Sequence, residues 1–270
     1  MQGRVLIVAG SDSGGGAGIQ ADIKTVTALG GFAATAITAL TAQNTRGVFG
    51  VLGVAPDFIQ QQMRVVLEDI GADAIKTGML HTAEVIDAVC AVIEVEGDVG
   101  EGGIPLVVDP VMVATSGDAL LDAGAVNALA ERLIPLASIV TPNVPEAERL
   151  SGLSIVTPED MRRAGDKLLA LGPEAVLLKG GHLKGDTVVD LLITPDSVET
   201  FASPRIETSN THGTGCTLAS AIATGLAQGL GLSEAVTRAR DYLQEAIRTA
   251  PGFGEGHGPV NHGHTVREFP

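Results

Sequence analysis

The sequence predicts an α/β protein: a three-layer α/β/α sandwich with a mainly parallel central sheet, in a single domain spanning residues 1–270. Three observations predict it. Short, continuous apolar runs such as Val5–Ala9 and Ile104–Val108 have the pattern of strands buried on both faces. Helix-like segments alternate with them along most of the chain, which implies parallel strands covered by helices on both sides. No linker and no internal repeat interrupts the alternation.

Taken in order, Val5–Ala9 is a strand closed by Gly10, and Ser11–Gly18 is a glycine-rich turn leading into a helix over Ile19–Leu29. Ala33–Leu40 is the next strand, and Pro56 and Asp57 open a helix that runs to Asp69. Strand Ala72–Lys76, helix Thr82–Val95, an acidic loop over 96–103 and strand Ile104–Val108 follow. Helices are expected over Asp122–Leu133, Val144–Leu150 and Pro158–Leu171, with strands Ser138–Val140 and Ala175–Leu178 among them. Val188–Ile193 and Val198–Phe201 read as a closing hairpin, and Cys216–Gln228 and Ser233–Ala250 as the last long helices. A tail rich in Gly and His over 252–264 ends the pattern; its histidines, His257, His262 and His264, lack metal-ligand spacing.

Composition narrows the function. Apolar residues make up 45% and charged residues 18%, as in a well-buried globular protein. The 32 acidic against 17 basic residues give a formal charge of −15, which repels nucleic acid and anionic lipid, so neither is an expected partner. The N-terminal apolar run is too short for a signal peptide or a membrane span, and the two cysteines, Cys90 and Cys216, make no disulfide framework. Cytoplasm is the expected compartment, and Cys90, among apolar helix positions, is expected in the core.

The chemistry centres on Asn210–Thr217, where an irregular loop becomes a helix. Gly213 and Gly215 remove Cβ atoms that would hold a ligand off the backbone, and the first helical turn offers unpaired N–H groups and a positive dipole end. That arrangement binds anions, phosphate above all. It also reads as an ordinary helix start with Thr as cap. Other unusual polar residues fall at strand ends, where open α/β sheets bind ligands: Gly10-Ser11-Asp12, Gln43-Asn44, Thr77-Gly78-Met79, Asp109-Pro110, Asn143 with Glu146, and Lys179. Two carboxylates suited to Mg²⁺, a lysine and an anion loop are the parts phosphoryl transfer needs. Each also has a structural reading: Asn143-x-x-Glu146 is a helix capping pattern, Asp109 can cap a loop, Lys179 can be a solvated lysine, and Cys216 an inert thiol. Gly-Lys-Ser/Thr is absent, and the glycine spacing after the first strand does not fit a dinucleotide fingerprint.

Together these residues make a recognisable set. The chain resembles the ribokinase-like superfamily, and within it the hydroxymethylpyrimidine/phosphomethylpyrimidine kinases of thiamine biosynthesis. The likeness runs nearly end to end, through Ala9–Asp12, Ala17–Asp22, Thr38–Thr45, Lys76–Leu80, Asp109–Ala114, Thr141–Glu148, Val176–His182, Asn210–Thr217 and Gly256–Val260.

The resemblance implies an ATP- and Mg²⁺-dependent kinase that phosphorylates 4-amino-5-hydroxymethyl-2-methylpyrimidine and then its monophosphate, and it suggests a homodimer. By the same likeness Gln43 reads the aminopyrimidine, as a side-chain amide offering donor and acceptor can, and Gly10, Asp22 and Met79 line its pocket. Asp109 and Glu146 arrange Mg²⁺; Lys179, with Thr214 and Asn143, handles ATP; the Gly213, Thr214, Gly215 and Cys216 amides stabilise the transferring group. Many members of the superfamily carry an aspartate base where this chain has Cys216. A carboxylate there would repel the monophosphate, whereas a thiol, made more acidic by the helix N-terminus, would serve both steps. Thr115 stands where many relatives carry lysine, and Ser13 replaces a frequent proline. The rival readings are a pyridoxal kinase, which Gln43 disfavours, and a catalytically silent binding protein on the same fold.

Overall fold

The computed structural model describes residues 2–96, 103–114, 117–118, 120–122 and 124–267; residues 97–102 of the expected acidic loop, and Thr115, lie outside them. Its strands are β1 (Arg4–Asp12), β2 (Phe32–Asn44), β3 (Gly47–Gly53), β4 (Ala74–Thr77), β5 (Leu106–Val108), β6 (Ile139–Val140), β7 (Val176–Leu178), β8 (Thr187–Ile193) and β9 (Val198–Pro204). Its helices are α1 (Gly18–Ala28), α2 (Pro56–Asp69), α3 (Ala83–Glu96), α4 (Ala125–Ala128), α5 (Val144–Ser151), α6 (Pro158–Leu169), α7 (Thr214–Ala227) and α8 (Leu232–Arg248). The strands form one sheet in the order β3-β2-β1-β4-β5-β6-β7-β8-β9. β2, β1, β4, β5, β6 and β7 run parallel, while β3 and the β8–β9 hairpin pair antiparallel at the two edges.

The alternation of side chains along each strand builds the layers. Leu6 and Val8 of β1, Ile75 of β4 and Val108 of β5 pack on α2 and α3 through Ile59, Met63, Ile86 and Val89. Val5 and Ile7, Ala74 and Val107 face the opposite way, onto Val26, Leu218, Ile222, Val236 and Ala239 of α1, α7 and α8. Val176, Leu178 and Ile193 meet α5 and α6 in a third cluster. Each fully buried Val, Leu or Ile contributes roughly 1.5–3 kcal/mol, so the two-sided burial of the central strands dominates stability. Cys90 is in this core, with none of its surface exposed.

Three local differences from the expected elements have physical reasons. β3 has no counterpart in the sequence reading, because Gly47, Gly50 and Gly53 lower strand propensity; the strand is held by its pairing with β2. The helix expected over Asp122–Leu133 is only α4, continued as a π turn over Leu129–Leu133 and a 3₁₀ turn over Ile134–Leu136; a turn closed by Ala125 N–H to the Asp122 carbonyl precedes it. α7 starts at Thr214, two residues before the expected start; its N-cap is Gly213, which has no side chain to cap with, and not a threonine.

From β1 the chain goes to β2 on one side and returns to β4 on the other, so the strand order reverses at β1. A crevice outside the carboxyl ends of β1 and β4 is the place such sheets bind ligands. Among the described residues no helix is long and apolar enough to cross a membrane.

The tail folds back over α7 and α8. Tyr242 Oη donates to the His262 carbonyl at 2.6 Å, and the His262 ring meets Thr217 Oγ1 at 3.0 Å. Burial, reinforced by Lys24, His264 and His212, pushes His262 down from 6.5 to about 4. The folded state therefore holds a neutral ring where the unfolded chain would bind a proton. Stability from this site is complete above about pH 6.5 and is lost as pH falls towards 4. Chemical denaturation between pH 7 and pH 4 should show a loss of up to about 3 kcal/mol that His262→Gln removes. An unchanged pH slope in that variant would contradict the assignment.

Candidate active site

A cavity of about 700 Å³ opens at the carboxyl ends of the parallel strands. At its base lies the turn into α7. Gly213 has φ +80°, and a Cβ there would collide with the Gly16 carbonyl, so only glycine lets the two loops touch. A Cβ on Gly215 would come within 3.4 Å of both Asp109 Oδ2 and Lys179 Nζ. With no side-chain cap on α7, the Gly215 and Cys216 N–H groups have no acceptor among the described residues and are open to an anion.

Asp12, at the end of β1, organises the loop opposite. Its Oδ1 accepts from Gly14 N–H at 2.7 Å, and its Oδ2 accepts from Gly16 and Ala17 N–H at 3.0 and 2.8 Å. His212 Nε2 meets the same Oδ2 at 2.9 Å. Burial alone would push Asp12 up, but His212 and the loop amides outweigh it and hold its carboxyl below the usual range. One carboxylate thus fastens the glycine-rich loop to the start of the anion loop.

Gln43 reaches the cavity from the end of β2. Thr41 Oγ1 donates to Gln43 Oε1 at 3.1 Å, and Gln43 N–H donates to Ser13 Oγ, whose hydroxyl donates back to the Gln43 carbonyl, both at 2.9 Å. Ser13 therefore anchors the strand that carries Gln43. Gly10 and Met79 line the same end, and a Cβ on Gly10 would sit 3.0 Å from Met79 Sδ.

The charged groups sit between these two ends. Lys179 Nζ donates to Asp109 Oδ1 at 3.2 Å. Glu146 Oε2 accepts from Asn143 N–H, and Asn143 Oδ1 from Glu146 N–H, so the capping box is formed. It fixes Glu146 rather than withdrawing it, since Glu146 still lines the cavity with Asn143. Burial and then Asp109 push Glu146 up to about 7, against the pull of Lys179 and the backbone amides. Two crowded carboxylates, one of them reluctant to ionise, are hard oxygen donors that fit a divalent cation such as Mg²⁺. A Gly180 Cβ would strike the Val189 carbonyl, and Gly180 N–H donates to Asp190, which Arg240 holds; this braces the turn that carries Lys179.

Cys216 faces the cavity, but burial, together with Asp22 and Asp109, pushes its thiol up to about 12, and Lys76 and the Gly18 N–H do not offset it. Burial and the two neighbouring carboxylates thus oppose the acidification expected from the helix N-terminus. Of the expected site residues, Gly10, Gln43, Met79, Asp109, Asn143, Glu146, Lys179 and Gly213–Cys216 all line the one cavity. Asp22 does not. It is fully buried behind the cavity, its carboxylate bonded to Lys76 and Ser220. Removing Lys76 alone would leave that carboxylate unpaired, at a cost of about 3–5 kcal/mol. Position at a strand end points to Asp12 without its bracing role, and the sequence alone assigns none to His212 or Lys76. A lysine inside an otherwise apolar strand was the available signal, because a buried ammonium requires a partner.

A doubly wound sheet with an anion loop, paired carboxylates and a lysine beside an acceptor pocket defines a phosphate-handling α/β fold of the ribokinase-like kind. The chain belongs to the phosphomethylpyrimidine kinase family, whose model matches residues 12–261. It is 56% identical over 262 residues to the thiamine biosynthesis bifunctional protein ThiED of Geobacter sulfurreducens, covering 97% of this chain but only 52% of that protein, so it spans about half of that relative. It is 49% identical to the hydroxymethylpyrimidine/phosphomethylpyrimidine kinase of Rhizobium meliloti, over 96% of both chains. The pyridoxal kinase of Staphylococcus aureus, solved with AMP-PCP and pyridoxal, superposes with a TM-score of 0.89 at 35% identity, over 99% of this chain and 96% of that one.

The thiol makes a direct check possible. Alkylation of Cys216 by iodoacetamide, with Cys216→Ser as the blank, should rise about tenfold per pH unit from pH 7 to 9 without levelling, because little thiolate exists below pH 12. A plateau near neutrality would mean an activated thiolate.

Proposed function

We propose that the protein is an ATP-dependent kinase of thiamine biosynthesis that phosphorylates 4-amino-5-hydroxymethyl-2-methylpyrimidine and then its monophosphate. The observation that carries this reading is the convergence, in one cavity, of the Gly213–Cys216 anion loop and the Asp109–Glu146–Lys179 cluster with Gln43 at the acceptor end. The Gln43 side-chain amide matches an amino group beside a ring nitrogen, donor to acceptor and acceptor to donor. Pyridoxal, which the Staphylococcus aureus kinase was solved with, has no amino group beside its ring nitrogen, so Gln43 favours the aminopyrimidine.

In each step the bond from the γ-phosphorus to its bridging oxygen breaks, ADP leaves and a bond to the acceptor oxygen forms; in the first step the hydroxyl proton passes to water or a phosphate oxygen. Such transfers have loose transition states and depend on positioning and charge more than on a strong base. The Gly215 and Cys216 amides are placed to take charge on the transferring oxygens, and Lys179 to hold the phosphates of ATP with Thr214 and Asn143. Asp109 and Glu146 would hold Mg²⁺, which neutralises phosphate charge when bound. Outer cavity residues Val188, Pro204, Ile206, Leu243 and Ile247 supply an apolar bed for the nucleotide base. A protonated Cys216 adds no negative charge of its own beside the acceptor, which suits an acceptor that is neutral in the first step and anionic in the second. This reading carries a homodimer working in the cytoplasm, without nucleic acid or lipid as partners.

Incubation with Mg-ATP and the hydroxymethylpyrimidine, resolved by anion exchange, should give monophosphate and then diphosphate, with pyridoxal in a parallel reaction. Phosphorylation of pyridoxal alone would move the reading to vitamin B6 chemistry; no product from either would favour a silent binding protein. Cys216→Asp should lower kcat/KM for the monophosphate about tenfold or more beyond its effect on the alcohol, because the new carboxylate repels only the anion. Equal losses would refute the account that Cys216 serves by carrying no charge.

A further inference from the structure

β4 reads Ala-Ile-Lys-Thr, and all four residues are buried. Lys76 pairs in register with Ile7 of β1 and Val107 of β5, so its side chain enters the layer of α1 and α7. There Nζ donates to both carboxylate oxygens of Asp22 on α1, each at 2.9 Å, and Ser220 of α7 donates to the same carboxylate at 2.7 Å. Neither Lys76 nor Asp22 has any surface open to solvent. A buried ion pair adds little stability over well-packed apolar residues, so stability alone does not account for it.

The partners are not placed alike. Lys76 bounds the cavity and Asp22 does not. Gly78 in the cavity wall permits this, since a Cβ there would lie 2.9 Å from Lys76 Nζ and 3.1 Å from Ala9 Cβ. Among the described residues Asp22 is the sole hydrogen-bonding partner of the ammonium, which leaves one of its N–H bonds without a protein acceptor. Cys216 is close enough to couple electrostatically to it. The pair is a fixed dipole whose positive end lies just beneath the cavity wall, behind Gly78 and near Cys216.

We infer that Lys76, oriented by Asp22, is a specificity-determining residue that favours an acceptor already carrying a phosphate over the neutral alcohol. The inference rests on the kinase reading above. The anionic acceptor must enter a floor that also holds Asp109 and Glu146, and Lys179 is already committed to Asp109. An ammonium held away from water interacts with such an anion far more strongly than a solvated one, and it adds little to the binding of a neutral hydroxymethyl group.

The test is Lys76→Met combined with Asp22→Asn, which removes both charges and leaves no orphaned buried ion. kcat and KM are measured separately for the hydroxymethylpyrimidine and for its monophosphate, with melting temperature as a check on folding. The expected result is a fall of about tenfold or more in kcat/KM for the monophosphate relative to the alcohol, carried mainly by KM. Lys76→Gln with Asp22→Asn keeps a side-chain hydrogen bond in place of the ion pair and serves as the second variant should the first not fold. A merely structural pair would lower both acceptors alike, so equal losses, or none, overturn the inference. Wild-type protein that phosphorylates neither compound overturns the kinase reading instead.

Discussion

Two-sided burial of the central strands is the constraint on which the rest of the structure depends. Strands with both faces covered have no room for solvated polar side chains except at their ends. The sequence therefore gathers its polar chemistry at the carboxyl termini of β1, β2, β4, β5, β6 and β7, and the reversal of strand order at β1 opens the crevice into which those termini project. The site is a consequence of how the sheet is packed.

Within that crevice, glycine and carboxylate divide the labour. Gly213 allows two loops to approach to a distance that any side chain would prevent, and Gly215 leaves open the space beside Asp109 and Lys179. Asp12, Glu146 and Asp190 then accept backbone N–H bonds and convert that closeness into a fixed geometry. Each of these carboxylates stands near a basic group, His212, Lys179 or Arg240. The acidic whole-chain balance therefore does not make the cavity uniformly negative.

Most of the fold was legible because buried parallel strands write themselves as apolar runs, and helix starts such as Pro56 and Thr157-Pro158 are marked by their own chemistry. β3 was not, since its strand character comes from pairing with β2 and not from Gly-rich local sequence. At the site, residues at strand ends could be named from position. Asp22 could not be placed correctly in that way. Its helix face is decided by Lys76 and Ser220, which are 54 and 198 residues away in the chain. The upward push on the Cys216 thiol was likewise hidden, because it comes from burial and from Asp22 and Asp109, which only the fold brings beside it.

The bond between His212 and Asp12 joins groups 200 residues apart, and His212 is in turn held by backbone bonding to Gly258. Closing so long a loop is entropically expensive until nearly all intervening structure has formed, and topologies of this kind fold slowly. The anion loop is therefore complete only when both ends of the chain have folded together. Secondary structure and compactness should return well before the anion loop is locked, and binding capacity reports completion of the whole chain rather than of any one segment.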